Sequence, residues 1–194
     1  VILKRLRHET RELHMALEER LPLLSPELSV GDYRALLRRF HGYYAPLEEG
    51  LVKAGRWREI GLDCPERLKV GALERDLAVL GDDSARIAAL PRCANLPEVE
   101  SLAGSLGCFY VIEGATLGGQ IISRHLLQNL NLTPETGCAF FSGYGAETGS
   151  RWKAFGEILT NATREGDGDA IVASANRTFS TLSEWLFRND FPPS

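Results

Sequence analysis

The stretch Leu3-Lys4-Arg5-Leu6-Arg7-His8-Glu9-Thr10-Arg11-Glu12-Leu13-His14-Met15-Ala16-Leu17-Glu18-Glu19-Arg20-Leu21 decides how the chain is read. Leu3, Leu6, Leu13 and Leu17 form an apolar stripe at helical spacing. Beside it, Arg7, Arg11, His14 and Glu18 stand four, three and four residues apart. At about 100° per residue these four side chains fall within an arc of roughly 60° on one helix face. Arg7 and Arg11 can hold anions, and a neutral imidazole at His14 can bind a metal. The rise from Arg7 to His14 is roughly 10 Å, at about 1.5 Å per residue. A flat ligand with a metal at its centre and carboxylates on its rim suits such a face.

The bulk numbers allow one domain spanning residues 1–194, with 44% hydrophobic and 25% charged residues. A chain of this size buries about 70% of its unfolded surface, enough for a sizeable core. The net charge of −4 gives no basic balance for nucleic acid and no polybasic tail for a membrane surface. At the N-terminal end, however, Lys4, Arg5, Arg7 and Arg11 oppose Glu9 alone, a setting that draws an anionic ligand or an acidic partner. No apolar run approaches the roughly 20 residues of a membrane span. Val1-Ile2-Leu3-Lys4-Arg5 lacks the layout of a signal peptide. Cys64, Cys93, Cys108 and Cys138 are irregularly spaced, with no C-x-x-C and no nearby Cys/His pair, so neither a zinc site nor a disulfide framework is expected. Reduced thiols in a cytoplasm are the expectation.

The pattern reads as helix nearly throughout. Ser29-Val30-Gly31-Asp32 resembles a capping box that opens a helix through Tyr44 and Leu47, with a kink expected at Pro46. Further helices are predicted over 68–80, 97–130, 150–163 and 167–187, and a glycine-rich loop over 140–149. With no alternating run long enough for a strand, the predicted architecture is all-α, with six or seven main helices.

Within 97–130 lies a conflict. Gly104, Gly107, Gly114, Gly118 and Gly119 interrupt a segment that otherwise reads as helix. Each costs about 1 kcal/mol relative to alanine. The first four fall on one arc of roughly 80°, so something approaches the backbone closely there. Either another helix packs on a small-residue face, or a flat ligand lies on the bare backbone. A metalloporphyrin held between the two helices satisfies both features: iron to His14, propionates to Arg7 and Arg11, and the opposite face toward Gly114 and Gly118. Among the other histidines, His8 lies about 120° from His14, His41 reads as a surface or packing residue, and His125 is two turns beyond Gly118.

At these residues the sequence resembles the biliverdin-producing heme oxygenases, particularly bacterial members associated with bacteriophytochromes. Leu6-Arg7-His8-Glu9-Thr10-Arg11-Glu12-Leu13-His14 is similar to that family's proximal-helix motif, and Tyr110-Val111-Ile112-Glu113-Gly114-Ala115-Thr116-Leu117-Gly118-Gly119-Gln120 to its distal-helix motif. The resemblance implies a helical fold with heme b, both substrate and cofactor, between a proximal and a kinked distal helix. It implies ring opening to biliverdin, carbon monoxide and ferrous iron, with O2 and electrons from a ferredoxin or a reductase. A bacteriophytochrome is a possible acceptor of the product. It also implies His14 as iron ligand, Arg7, Arg11 and Lys153 as propionate contacts, Phe179 as an aromatic wall, and Gly114 and Gly118 as the distal surface on which the reaction is steered. Glu18 either orients the proximal side or faces solvent. One departure matters: many relatives carry an aspartate where this chain has Ala115. That leaves the proton route unassigned and keeps open the alternative of a heme-binding carrier or sensor that does not degrade heme.

Overall fold

Residues 2–55 and 57–188 are described by the computed structural model, and every regular element among them is helical. In chain order the α-helices are α1 (Ile2–Glu9), α2 (Arg11–Arg20), α3 (Val30–Ala54), α4 (Val70–Val79), α5 (Ser84–Ala88), α6 (Leu102–Leu130), α7 (Ala139–Ser142), α8 (Thr148–Ala162) and α9 (Asp167–Leu186). Short, tighter 3-10 turns fill the connections at Pro22–Leu24, Trp57–Ile60, Pro65–Arg67 and Gly145–Glu147.

The long helix α6 is the centre of the packing. It lies most extensively on α9 and also touches α3, α7 and α8, while α1 and α2 rest against α9. Leu6, Tyr43, Phe109, Phe155, Ala175 and Leu182 are buried along these seams. Their burial, at about 25 cal/mol per Å² of apolar surface, holds the N-terminal segment near α6 although the two are a hundred residues apart.

The N-terminal segment, expected as one helix over 3–21, divides at Thr10. Its buried hydroxyl donates to the Leu6 carbonyl at 2.8 Å, and its backbone sits at φ −102°, ψ −4°. Such back-bonding bends a helix. The backbone ladder nevertheless continues through the bend, from Thr10 N–H to Leu6 O at 2.9 Å and from His14 N–H to Thr10 O at 3.0 Å.

The capping box of α3 is formed as its sequence indicates: Ser29 Oγ accepts from the Asp32 N–H at 3.1 Å, and Asp32 accepts from the Ser29 N–H. Pro46 lies inside α3 without ending it. Lacking an N–H, it leaves the Gly42 carbonyl without its helical donor, and Cys93 N–H supplies the bond at 2.8 Å. Helix α6 starts at Leu102 rather than near 97, because the Ser101 hydroxyl caps the Gly104 N–H at 3.0 Å. The segment expected as a loop over 140–149 instead holds α7 and a 3-10 turn. Its order comes from a distant group: the Asp76 carboxylate on α4 accepts from the Ala139 and Phe140 N–H groups, both at 2.8 Å.

Candidate functional site

Helices α2 and α6 approach each other at Glu18, whose Oε1 is 3.1 Å from His14 Nε2 and 3.8 Å from where a Cβ on Gly118 would be. The His14 side chain is 49% exposed, and its ring lies 5.5 Å from that of Phe179 on α9. Phe179 itself is buried, so it is a core residue that also borders the imidazole.

The glycines of α6 divide into two kinds. A methyl on Gly107 would strike the Ile171 carbonyl of α9 and come within 2.6 Å of Ser174 Cβ. One on Gly119 would strike the Phe141 carbonyl of α7, and one on Gly104 would meet the Glu98 carbonyl at 2.6 Å. At these three positions glycine serves close backbone packing. Gly114 and Gly118 differ. A methyl there would find only the Trp152 ring at 3.7 Å and Glu18 Oε1 at 3.8 Å, ordinary van der Waals distances. No neighbouring backbone demands glycine at either position.

Several further features lie on α1, α2, α6 and α8. Leu117 and Ile121, on the same face of α6, remain 39% and 59% exposed, and Leu13 on α2 is also exposed. Arg7 and Arg11 are exposed and make no ion pair among the described residues. Tyr110 spans from α6 to the bend of the N-terminal segment. Burial pushes its hydroxyl up from the ordinary tyrosine value, opposed by a hydrogen bond to Thr10 and by the charge of Arg7. The Trp152 ring is 5.8 Å from that of Tyr110 and floors Gly114. Lys153 is exposed on α8, next to Trp152. An apolar gap with one half-exposed imidazole, a bare helix backbone opposite and free guanidinium groups nearby fits heme. A single imidazole suffices for a metal whose other in-plane ligands arrive with it.

His41 and His125 are tied elsewhere, and His8 is exposed on α1. His41 Nε2 is 3.5 Å from Glu74 Oε1, and His125 Nε2 lies 3.3 Å from the Ser25 carbonyl and 2.9 Å from Asn129 Nδ2.

Sequence reading missed a buried charge network behind the distal surface. Glu113, adjacent to Gly114, is almost completely buried and pairs with Arg67 Nη1. It also accepts from Lys69 Nζ at 2.8 Å and from the Tyr144 hydroxyl at 2.7 Å. Lys69 Nζ donates in turn to Tyr144 Oη at 2.6 Å and to the Arg67 carbonyl at 2.7 Å. Burial lowers the Lys69 ammonium from its ordinary value, and Glu113 partly offsets this. Glu48 on α3 caps the start of α4, accepting from the Lys69 and Val70 N–H groups at 2.5 and 3.2 Å. Burial raises the Glu48 carboxyl to about 7. The one signal available in sequence was a lone carboxylate inside the apolar run Val111-Ile112-Glu113-Gly114.

Comparison with known proteins agrees with this geometry. A heme oxygenase from Xanthomonas campestris pv. campestris (strain 8004) is 32% identical over 154 residues, covering 76% of this chain and 84% of the relative. The fold is shared with the NO- and CO-bound heme oxygenase of Neisseria meningitidis (TM-score 0.78, 19% identity, covering 100% of this chain and 96% of that one). It is also shared with heme oxygenase-1 of the cyanobacterium Synechocystis sp. PCC6803, solved in complex with heme (TM-score 0.74, 19% identity, 95% and 90% covered). The sequence profile of the heme oxygenase family matches residues 1–188, a span that takes in both the imidazole-bearing helix and the bare-backbone helix. Close identity over most of one relative, a shared fold and that match together place this chain in the heme oxygenase family.

Proposed function

We propose that this heme oxygenase holds heme b between α2 and α6, with His14 as the iron ligand and Gly114 and Gly118 facing the other side of the ring. The observation that carries this reading is the exposed imidazole of His14, linked through Glu18 to the surface of α6 at Gly118, where, as at Gly114, no packing contact requires glycine. When bound, heme is both substrate and cofactor: it supplies the iron that activates O2, and the opened ring leaves as biliverdin, carbon monoxide and ferrous iron.

The task of the chain is positioning. His14 offers a neutral nitrogen rather than a thiolate. Arg7, Arg11 and Lys153 hold the propionates, which fixes the rotation of the ring in its plane. That rotation selects the meso carbon attacked, here the alpha-meso carbon, giving the IXα isomer. Phe179 walls the proximal side, where it already lies against His14. The bare backbone at Gly114 and Gly118 sets how close the protein comes to the distal side. Ala115 supplies no carboxylate there. One domain over residues 1–194 carries all these parts.

Electrons come from a separate donor, a ferredoxin or a reductase, drawn to the basic N-terminal end. A bacteriophytochrome is the proposed acceptor of biliverdin. Four unpaired, buried cysteines suit a reducing cytoplasm. No helix among the described residues is long and apolar enough to cross a membrane.

The test is direct. Hemin added to the purified protein is expected to give a Soret band, and ascorbate or ferredoxin with its reductase in air is expected to replace that band with the broad red absorption of biliverdin. A stable band under turnover conditions identifies a carrier or sensor instead. No Soret band removes heme from the account. His14→Ala is expected to lose the five-coordinate histidine spectrum; full retention of spectrum and activity would remove His14 from its role. Chromatography giving mainly beta or delta isomers would reject the alpha-meso assignment.

A further inference from the structure

We propose that Glu18 is a latch on the ligand-free site: its carboxylate occupies the space between His14 and Gly118 and engages the imidazole nitrogen that faces that space, so heme binds only after Glu18 swings away. This rests on the reading that heme lies between His14 and Gly118.

Two distances carry it. Glu18 Oε1 stands 3.1 Å from His14 Nε2, and the same oxygen stands 3.8 Å from where a Cβ on Gly118 would be. A single carboxylate oxygen thus touches the proximal imidazole and lies against the distal backbone. A porphyrin plane cannot pass through the same gap while that oxygen remains there.

The contact adds a second barrier: the Glu18 carboxylate covers the imidazole nitrogen that faces the gap, at 3.1 Å. Nothing else locks Glu18 in place. Its side chain is 57% exposed, and His14 is its only ion-pair partner among the described residues, so release costs one hydrogen bond.

The latch is separable from a role in supporting the bound imidazole. A supporting carboxylate slows heme loss, whereas a latch slows heme uptake. Stopped-flow growth of the Soret band after mixing with hemin is expected to be about two- to tenfold faster in Glu18→Ala than in the parent, the range that one ordinary net hydrogen bond spans. Glu18→Gln, which keeps the shape and retains a weaker acceptor, is expected to fall between them. The final Soret position is expected to match in all three.

Glu18→Ala taking up hemin at or below the parental rate overturns the latch and leaves the heme site intact. A parent protein that gives no Soret band overturns the heme reading itself, and the latch with it.

Discussion

Removing the Glu113 carboxylate tests how the distal helix is held. Glu113 is 1% exposed and sits between Arg67 and Lys69, whose side chains are each 8% exposed. Glu113→Ala leaves two buried cations with no carboxylate between them and removes the acceptor of the Tyr144 hydroxyl proton. Glu48 does not substitute, because its oxygens are committed to the backbone at the start of α4. Breaking a buried pair by removing one partner costs about 3–5 kcal/mol. At roughly 2–4 °C per kcal/mol for a chain of this size, Tm is expected to fall by about 10 °C. Urea unfolding followed by circular dichroism gives the same quantity in free energy. Two companion variants separate charge from packing. Glu113→Gln keeps the volume and an acceptor, and is expected to cost about half as much. The triple replacement R67M/K69M/E113L removes every charge at once and is expected to be more stable than Glu113→Ala, since apolar groups of similar size carry no stranded charge. A fall of less than about 1 kcal/mol for Glu113→Ala, or a triple variant weaker than the single one, would refute the view that this carboxylate neutralises the two cations.

The remaining expectations follow from single positions. Gly119→Ala drives a methyl into the Phe141 carbonyl and is expected to cost about 1–3 kcal/mol by urea unfolding. A Cβ at Gly118 meets only Glu18 Oε1 at 3.8 Å, so Gly118→Ala is expected to cost no stability while weakening hemin binding by Soret titration; a loss of stability equal to that of Gly119→Ala would deny the division between packing and site glycines. The folded protein keeps the Glu48 proton up to about pH 7, whereas the unfolded chain releases it in the ordinary glutamate range. The native state therefore binds more protons across that window, so the Glu48 contribution to stability is full below it, falls as pH rises, and is gone above about 7. Glu48→Gln is expected to flatten this slope in pH-dependent urea unfolding. Asn131 ends α6 at φ 55°, so Asn131→Val is expected to cost about 1 kcal/mol and Asn131→Gly little or nothing.

What could be read in the sequence was what local chemistry determines. The Ser29–Asp32 capping box, the periodic stripes of α3, α6 and α9, and the paired motifs around His14 and Gly114 all lie within a few turns of chain. What escaped was imposed from a distance. Asp76 orders α7 from sixty residues away, and Arg67, at the end of a connection, and Lys69, at the start of the helix predicted over 68–80, reach Glu113 from more than forty residues away. The bend at Thr10 was concealed for a different reason: a threonine in mid-helix bends the backbone only when its hydroxyl turns back on the preceding turn, and burial decides that. The glycines of α6 show the same boundary. Their spacing revealed a close approach, but only the positions of α7 and α9 show that Gly107 and Gly119 meet protein backbone while Gly114 and Gly118 meet none.

That division explains why one helix carries five glycines at a cost on the order of 5 kcal/mol. A porphyrin site needs its distal backbone at a fixed height above the imidazole, and height is set by whatever α6 rests on. Gly107 lets α6 sink onto α9, and Gly119 lets α7 close onto α6 from another side. The two contacts bracket Gly114 and Gly118, so the open stretch is suspended between two places where backbone meets backbone. Helix α9 also carries Phe179 against His14, so the helix that seats α6 borders the proposed iron ligand as well. Larger residues at 107 or 119 would lift α6 and widen the gap without touching either face of it. It follows that Gly107→Ala is expected to change the spectrum and the affinity of bound heme as well as stability, although residue 107 packs on α9 and not on the gap. A variant that lost stability but bound heme with unaltered affinity and Soret position would show that the height of the distal backbone is set by something other than these packing glycines.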